Sequence, residues 1–471
     1  MMRLNNTMSR EVEDFQPINK DTVTIYTCGP TVYDFPHIGN WYAFIRWDLL
    51  LRVLNASGYK TKWVLNITDV GHLTSDADEG EDKLEKGAKR EHKTAWAVAK
   101  EYTDYFEAGL MRLNFTRPDL LPKATDNIPE QIDFIKALEK DGLIYTISDG
   151  VYFDTSKLSD YGKLARLDID KLKAGARVEL STEKRNPTDF ALWKFSPKDH
   201  KRDMEWDSPW GKGFPGWHLE CSAMIKKFLG DTIDIHGGGI DHIPIHHTNE
   251  IAQSESANHQ PLAKYWIHSN FIKVDGQKIS KSLGNIITLE DIEKKGFSLE
   301  AFRLLVLESH YRSEAQFSWD TLAAAQNRLN NYRAFADLRF QAVKVPNYEV
   351  QGPDYTEYKK DILYALQNDL DTPKALKIFS GITDEYDKRG IPVLNDELKE
   401  FDSFLLFIND IFGIDLLAST DISDIQKRII AQREVARKKS DWQESDKIRQ
   451  ALKEQAIEIH DTEYGPIWSK I

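Results

Sequence analysis

The chain has 471 residues, 62 Lys+Arg against 75 Asp+Glu, a formal charge of −13 and 41% hydrophobic residues. At about 150 residues per domain that is a globular composition long enough for roughly three domains, which excludes a disordered or fibrous chain. No window approaches the roughly 20 apolar residues of a membrane span and Met1 to Lys20 lacks an apolar signal core, so a cytoplasmic protein with no membrane partner is expected.

Thr22 to Thr27 is β-branched and aromatic and stops at Cys28-Gly29-Pro30, which predicts a buried strand closed by a turn. From Gly39 to Leu54 apolar residues recur at helical spacing, Ser57-Gly58-Tyr59 breaks the run, and Lys62 to Ile67 returns to strand composition. This β-loop-α-β unit opens a doubly wound α/β sheet. Around Pro118 the pattern changes to a helix, Pro129 to Lys140, and then to short strands and polar turns through Gly216, an inserted domain. Strand-and-helix alternation resumes through Trp217 to Phe228, Thr232 to His236 and Ile245 to Ser254, so the sheet is split in sequence and closed in space. Beyond Ser298 the period is helical, with breaks at Val345-Pro346-Asn347, Asp371-Thr372-Pro373 and Gly390-Ile391-Pro392. The segment Lys427 to Lys453 carries nine Lys or Arg against four Asp or Glu, reversing the sign of the whole chain.

Three constellations carry chemistry. Phe35-Pro36-His37-Ile38-Gly39-Asn40 stands where a strand gives way to a helix, whose unpaired N–H groups and dipole suit phosphate. The imidazole is a donor there, and Gly39 lets a flat base approach the backbone. Lys278-Ile279-Ser280-Lys281-Ser282 places two lysines three apart in a loop able to close over a triphosphate. There is no Gly-x-x-x-x-Gly-Lys-Ser/Thr sequence, and Gly237-Gly238-Gly239 lacks the spacing of a dinucleotide fingerprint. His246 and Glu250, four apart, share a helix face, although His247 and Asn249 serve equally well as the inward pair. Added to the only two thiols, Cys28 and Cys221, they form a donor set suited to Zn²⁺.

In this order the three constellations resemble the class I aminoacyl-tRNA synthetases, and within them the cysteinyl-tRNA synthetase family. Cys28-Gly29-Pro30-Thr31-Val32-Tyr33-Asp34 resembles that family's first zinc ligand leading into the HIGH signature, here His37 to Asn40. Asn66-Ile67-Thr68-Asp69 resembles its amino-acid-pocket strand, Gly216 to Met224 the segment with the second zinc ligand, Asp234 to Glu250 its His-Gly-Gly-Gly…His-His…Glu run, and Lys278 to Ser282 KMSKS. The similarity also covers the insert, at Tyr161 to Leu164, Ala174 to Arg177 and Asp207 to Trp210. Asn40 replaces a His, Ile279 a Met, and Trp41-Tyr42-Ala43 is bulkier than the small and basic residues that follow the family signature.

The resemblance implies a fold and a set of roles. The fold is a Rossmann-like catalytic domain (21–117 and 217–275) interrupted by a connective insert (118–216). It is followed by a KMSKS and stem-contact region (276–345), a helical bundle (346–412) and an anticodon-binding region (413–471), the C-terminal part being all-helical. Cys28, Cys221, His246 and Glu250 match zinc ligands; Gly29, Thr68 and Trp217 line a cysteine pocket; His37, Gly39, Asn40, His236, Gly238, Asp241 and Lys281 contact ATP; and His37, Asn40, Lys278 and Lys281 are catalytic. One zinc per chain and Mg²⁺ with ATP are the implied cofactors, L-cysteine, ATP and tRNA(Cys) the partners, and a monomer the implied state. The basic residues Lys427, Arg428, Arg433, Arg437, Lys438, Lys439, Lys447 and Arg449, with Trp442 and Trp468, form the segment expected to contact RNA. The alternative is a cysteine ligase of the same fold with a small-molecule amine as acceptor.

Overall fold

The computed structural model describes residues 2–71, 82–167, 183–197, 201–343, 353–389 and 393–470; the breaks read at Val345 to Asn347 and Gly390 to Pro392, and the match at Ala174 to Arg177, fall outside them. The chain divides into two compact units. The first comprises Met1–Lys273, Gln277–Leu289 and Tyr311–Ala315; the second comprises Val274–Gly276, Glu290–His310 and Gln316–Ile471.

The first unit begins with an antiparallel hairpin, β1 (Arg3–Asn6) and β2 (Glu11–Asp14). A catalytic boundary at residue 21 leaves this hairpin out, yet it is bonded to the central sheet: Thr7 N–H donates to Trp266 O at 2.7 Å. Next come β3 (Val23–Thr27), α1 (Ile38–Ala56) and β4 (Thr61–Leu65), then α2 (Lys83–Glu91), α3 (Ala95–Arg112) and α4 (Ile128–Lys140). An antiparallel sheet follows, built in order from β5 (Ile144–Ile147), β6 (Gly150–Phe153), β7 (Phe190–Phe195) and β8 (Gly213–Pro215). The chain then returns through α5 (Trp217–Phe228), β9 (Ile233–Gly239), α6 (His246–Asn258) and β10 (Ala263–Ser269).

The central sheet has strand order β10-β9-β3-β4, all parallel, with Ile25 opposite both Ile235 and Trp63. Its strands are apolar because both faces are covered, as parallel sheets require. The order places β3 and β9 side by side although more than 200 residues separate them, so the turns after β3, β4 and β9 open on one edge. Carboxyl ends of parallel strands are where such sheets bind ligands.

The bulky start of α1 has a local solution. Trp41 is fully buried, stacked on Phe106 at 5.3 Å between centroids, and its ring fills the space where Gly109 of α3 has no side chain. A Cβ on Gly109 would lie 2.4 Å from Trp41 Cη2.

The second unit is helical over Leu299–Leu307, Trp319–Asp337, Tyr355–Gln367, Thr372–Arg389, Leu398–Phe412, Asp424–Lys438 and Trp442–Lys453. Aromatic rings of Tyr355, Phe379, Phe401 and Phe404 pack its interior. The expectation of helices throughout needs one correction: the chain closes on an antiparallel hairpin, Ile457–Thr462 with Gly465–Lys470. Trp468 is in the core of this hairpin, its N–H donating to Gln341 Oε1 at 2.7 Å, so it is not a stacking platform. Arg433, 3% exposed, donates to Asp461 at 2.7 and 2.8 Å and serves packing rather than RNA.

Gly109→Ala tests the Trp41 packing. Alanine in a helix interior ordinarily stabilises by about 0.5–1 kcal/mol, whereas overpacking here is expected to cost about 1–3 kcal/mol in urea unfolding. Adding Trp41→Leu should relieve that loss.

Candidate functional site

β3 delivers Cys28 at its carboxyl end, where Cys28 N–H donates to Gly237 O of β9 at 3.1 Å. Gly29 follows in a position no side chain fits: a Cβ would lie 1.6 Å from Asn66 O, and its N–H donates to Asn66 Oδ1 at 2.8 Å. Asn66 Nδ2 donates to Thr68 Oγ1 at 3.0 Å, and Thr68 Oγ1 donates to Glu220 Oε2 at 3.2 Å. The loops after β3 and β4 are thereby locked to α5, which carries Trp217, Glu220 and Cys221.

Helix α6 supplies the rest. His246 Nε2 lies 2.6 Å from Glu250 Oε1 and 3.6 Å from Cys221 Sγ. The donor atoms of Cys28, Cys221, His246 and Glu250 all fall within 4.8 Å of one another, all buried, and both thiols are free. Two soft sulfurs, an imidazole and a carboxylate converging at one buried point fit a tetrahedral metal ion. The choice between the two histidines resolves in an unexpected way, because His247 also points inward: Cys28, His236, His247 and Glu250 form a second group with the same mutual reach. Cys28 and Glu250 belong to both.

Charge explains the balance. Burial alone would lower the pKa of His246, but the Glu250 carboxylate and Cys28 hold it up to about 10. Burial pushes Glu250 up, yet His236 and His246 bring it well below the carboxylate range. Burial, aided by His236, lowers His247 to about 4.

The residues expected around the metal set border it. Trp217 lies against His246 with centroids 4.5 Å apart, and Gly29 and Thr68 stand in the network just described. His236, expected at the nucleotide, is fully buried, its Nε2 2.5 Å from Glu250 Oε2 and its ring stacked on Trp266 at 4.7 Å. In this structure its side chain supports the carboxylate. Gly238 is needed by the same packing, since a Cβ would meet His247 Cε1 at 2.5 Å, and Asp241 stands two residues beyond β9 beside Gly239.

The end expected to face phosphate is built by α1. His37 is its N-cap, with Nδ1 accepting from Gly39 N–H at 3.1 Å, while Asn40 Oδ1 accepts from His37 N–H at 3.0 Å. An accepting Nδ1 puts the proton of the neutral ring on Nε2, and burial lowers this imidazole's pKa. The cap thus spends one face of each side chain and leaves an N–H donor at a helix N-terminus. Gly39 is confined by His37 and by Ile279, whose Cδ1 would be 3.1 Å from a Cβ. Lys281 is ion-paired with Asp34, and Asp34 also meets Arg90 at 3.5 Å. Ser280 N–H donates to Asn285 Oδ1 at 2.9 Å, and Asn285 Nδ2 donates to the Lys278 carbonyl at 3.0 Å, which shapes the loop without engaging the lysine ammonium of residue 278.

The sequence offered His247 only as an alternative to His246, not as a second inward histidine beside it, and it missed His218, His268 and Asp34. The His-His pair of α6 was the only local signal; the others are identified by partners far away in sequence.

Comparison with known proteins follows this geometry. The family described as tRNA synthetases class I (C) catalytic domain matches residues 14–327. A protein of Burkholderia lata named cysteine–tRNA ligase 1 is 44% identical, the match covering 98% of this chain and 96% of that one. A cysteine–tRNA ligase of Treponema denticola is 40% identical over 100% of both. The structure of a Mycobacterium tuberculosis methionyl-tRNA synthetase in complex with methionyl-adenylate shares the fold at TM-score 0.58 and 14% identity, covering 83% of this chain and 89% of that one.

Asp69, beside the site, supplies a pH test. It accepts from Thr125 N–H at 2.9 Å and from Thr125 Oγ1 at 2.6 Å, yet burial raises its carboxyl to about 6. The folded chain therefore keeps a proton that the unfolded chain loses near about 3.9, so stability falls as pH rises between about 4 and about 6. The urea-unfolding difference between metal-free wild type and Asp69→Asn should decline over that window and stay flat above it.

Proposed function

The chain belongs to the cysteine–tRNA ligase family of class I synthetases, and from that premise we propose that it activates L-cysteine with ATP at the carboxyl ends of β3, β4 and β9, holds the substrate thiol at a zinc ion carried by Cys28, Cys221, His246 and Glu250, and passes the acyl group to tRNA(Cys). The observation that carries this reading is the buried convergence of those four donors beside Gly29, Thr68 and Trp217. Relatives matching the chain over its whole length, C-terminal helices included, do not favour a small-molecule acceptor.

Zinc, when bound, supplies a soft Lewis acid that favours a thiolate over an alcohol. That matters because apolar pockets separate near-isosteres by only about 1–3 kcal/mol. Gly29, Thr68 and Trp217 shape the space over the metal set and orient the substrate's α-carboxylate toward α1. The carboxylate attacks the α-phosphorus of ATP, and pyrophosphate leaves. His37 Nε2–H and the positive dipole end of α1 stabilise the phosphate charge on one side. Lys278 and Lys281 do so on the other, Lys281 exchanging Asp34 for phosphate, while Arg90 stays beside Asp34. Mg²⁺ accompanies the nucleotide. A ribose hydroxyl of the tRNA then attacks the acyl carbonyl and AMP leaves. No protein nucleophile is needed, so catalysis is positioning and electrostatics. The exposed Arg428, Lys438, Lys439, Lys447 and Trp442 face solvent for tRNA contact.

Incubation with ATP, Mg²⁺, labelled cysteine and total tRNA should leave label on the RNA; cysteine-dependent pyrophosphate exchange without retained label would overturn tRNA as acceptor. Cys221→Ser should lose zinc and cysteine-dependent exchange together, and full exchange without zinc would sink the metal assignment. Lys281→Ala should lower the adenylation rate by about 100- to 1,000-fold while cysteine binding changes little; equal losses in both would remove Lys281 from its role.

A further inference from the structure

Residues before Asp21 carry none of the motifs above, yet a hydrogen-bonded line runs from them to Cys28. Asn6 clamps the end of β1 to β10, its Oδ1 accepting from Trp266 N–H at 3.1 Å and its Nδ2 donating to Lys264 O at 3.1 Å. The next residue, Thr7, is buried with Oγ1 2.7 Å from His268 Nδ1. His268 Nε2 is 2.7 Å from His247 Nδ1, and His247 Nε2 is 3.3 Å from Cys28 Sγ. All four side chains are buried.

A neutral imidazole carries one ring N–H, so the line can run in two directions only. If Thr7 donates, the ring protons lie on both Nε2 atoms and His247 donates to the Cys28 sulfur. If Thr7 accepts, they lie on both Nδ1 atoms and His247 turns a bare nitrogen toward the metal set, as a ligand in the group of Cys28, His236, His247 and Glu250. One hydroxyl at the N-terminal hairpin therefore decides whether the group with His247 is complete and competes with that of Cys28, Cys221, His246 and Glu250. The direction follows from the hydroxyl proton. Among the described residues Thr7 Oγ1 has His268 Nδ1 as its single hydrogen-bond partner, so an accepting Thr7 would bury its own proton unpaired.

We infer that Thr7 is a positioning residue of the metal centre: it donates through His268 and His247 to the Cys28 sulfur, and so keeps the ion in the group of Cys28, Cys221, His246 and Glu250. The inference rests on the zinc reading above. Outer partners of this kind fix ring orientation and tune the ligand, and their removal ordinarily costs 10- to 100-fold in metal affinity.

The test uses the full-length chain, chelator competition for zinc and the absorption spectrum of the Co²⁺ form. Thr7→Val, which keeps the shape and removes the hydroxyl, should weaken zinc binding about 10- to 100-fold and alter the Co²⁺ d–d bands, whereas Thr7→Ser should keep the wild-type values. His268→Phe should show the same loss, with the double variant no weaker than either single one, because one line carries the effect. Thermal unfolding of the metal-free forms reports any packing defect separately. Wild-type affinity in Thr7→Val, or an equal loss in Thr7→Ser, overturns the inference while leaving the zinc reading intact; a wild-type chain that binds no zinc overturns both. If Thr7→Val does not fold, His268→Phe and Thr7→Ser carry the same comparison.

Discussion

Everything around the site depends on gathering four ionisable donors into one water-free point. A carboxylate, an imidazole and two thiols lie within 4.8 Å there, and each would be costly to bury alone. The fold absorbs that cost by setting a partner against each of these donors: His236 and His246 on Glu250, His218 on His246 at 3.0 Å, and His247 on Cys28. Glycine appears wherever this crowding leaves no room, at Gly29 against the Asn66 carbonyl and at Gly238 against the His247 ring. The parallel sheet, the returning helices α5 and α6 and the interruption between them are the geometry that brings residue 28 to residues 221 and 246.

The division of labour follows from burial. In the proposed reaction, selection of sulfur falls to the buried donors. The phosphate chemistry proposed above falls to more accessible groups, the half-buried His37 cap and the Lys281 ammonium, whose side chain is 58% exposed. His37 is economical in this respect: the nitrogen that caps α1 fixes which nitrogen remains to meet a ligand.

Much of this was legible in the sequence, for local reasons. Strands β3 and β4 announce themselves by β-branched runs, α1 by its period, and the metal set by the coincidence that the chain has only two cysteines and one His-x-x-x-Glu pair near them. What stayed hidden was set by distant partners. Trp41 looked too large for its place because the notch that receives it is Gly109, on another helix. The stack of His236 on Trp266 and its bond to Glu250 likewise leave no mark on its neighbours in sequence. The terminal hairpin was concealed differently: Ile457-Glu458-Ile459 alternates as a strand does, but the strong helical charge pattern just before it dominated the reading. Basic composition likewise overstated the RNA-facing surface, since Arg433 and Arg437 are both tied to Asp461.

The bonding of β1 to β10 has a consequence for biosynthesis. Asn6 and its partner Lys264 are 258 positions apart, so the ribosome makes the hairpin long before the strand edge that receives it. During that interval β3 and β4 can pair with each other, but the outer half of the sheet does not yet exist and buried side chains such as Leu4 and Phe15 lack their cover. Contacts of such long sequence separation form late and leave apolar surface waiting, the condition under which nascent chains draw on chaperones. The first unit is therefore a domain whose opening segment is among the last parts to find its place.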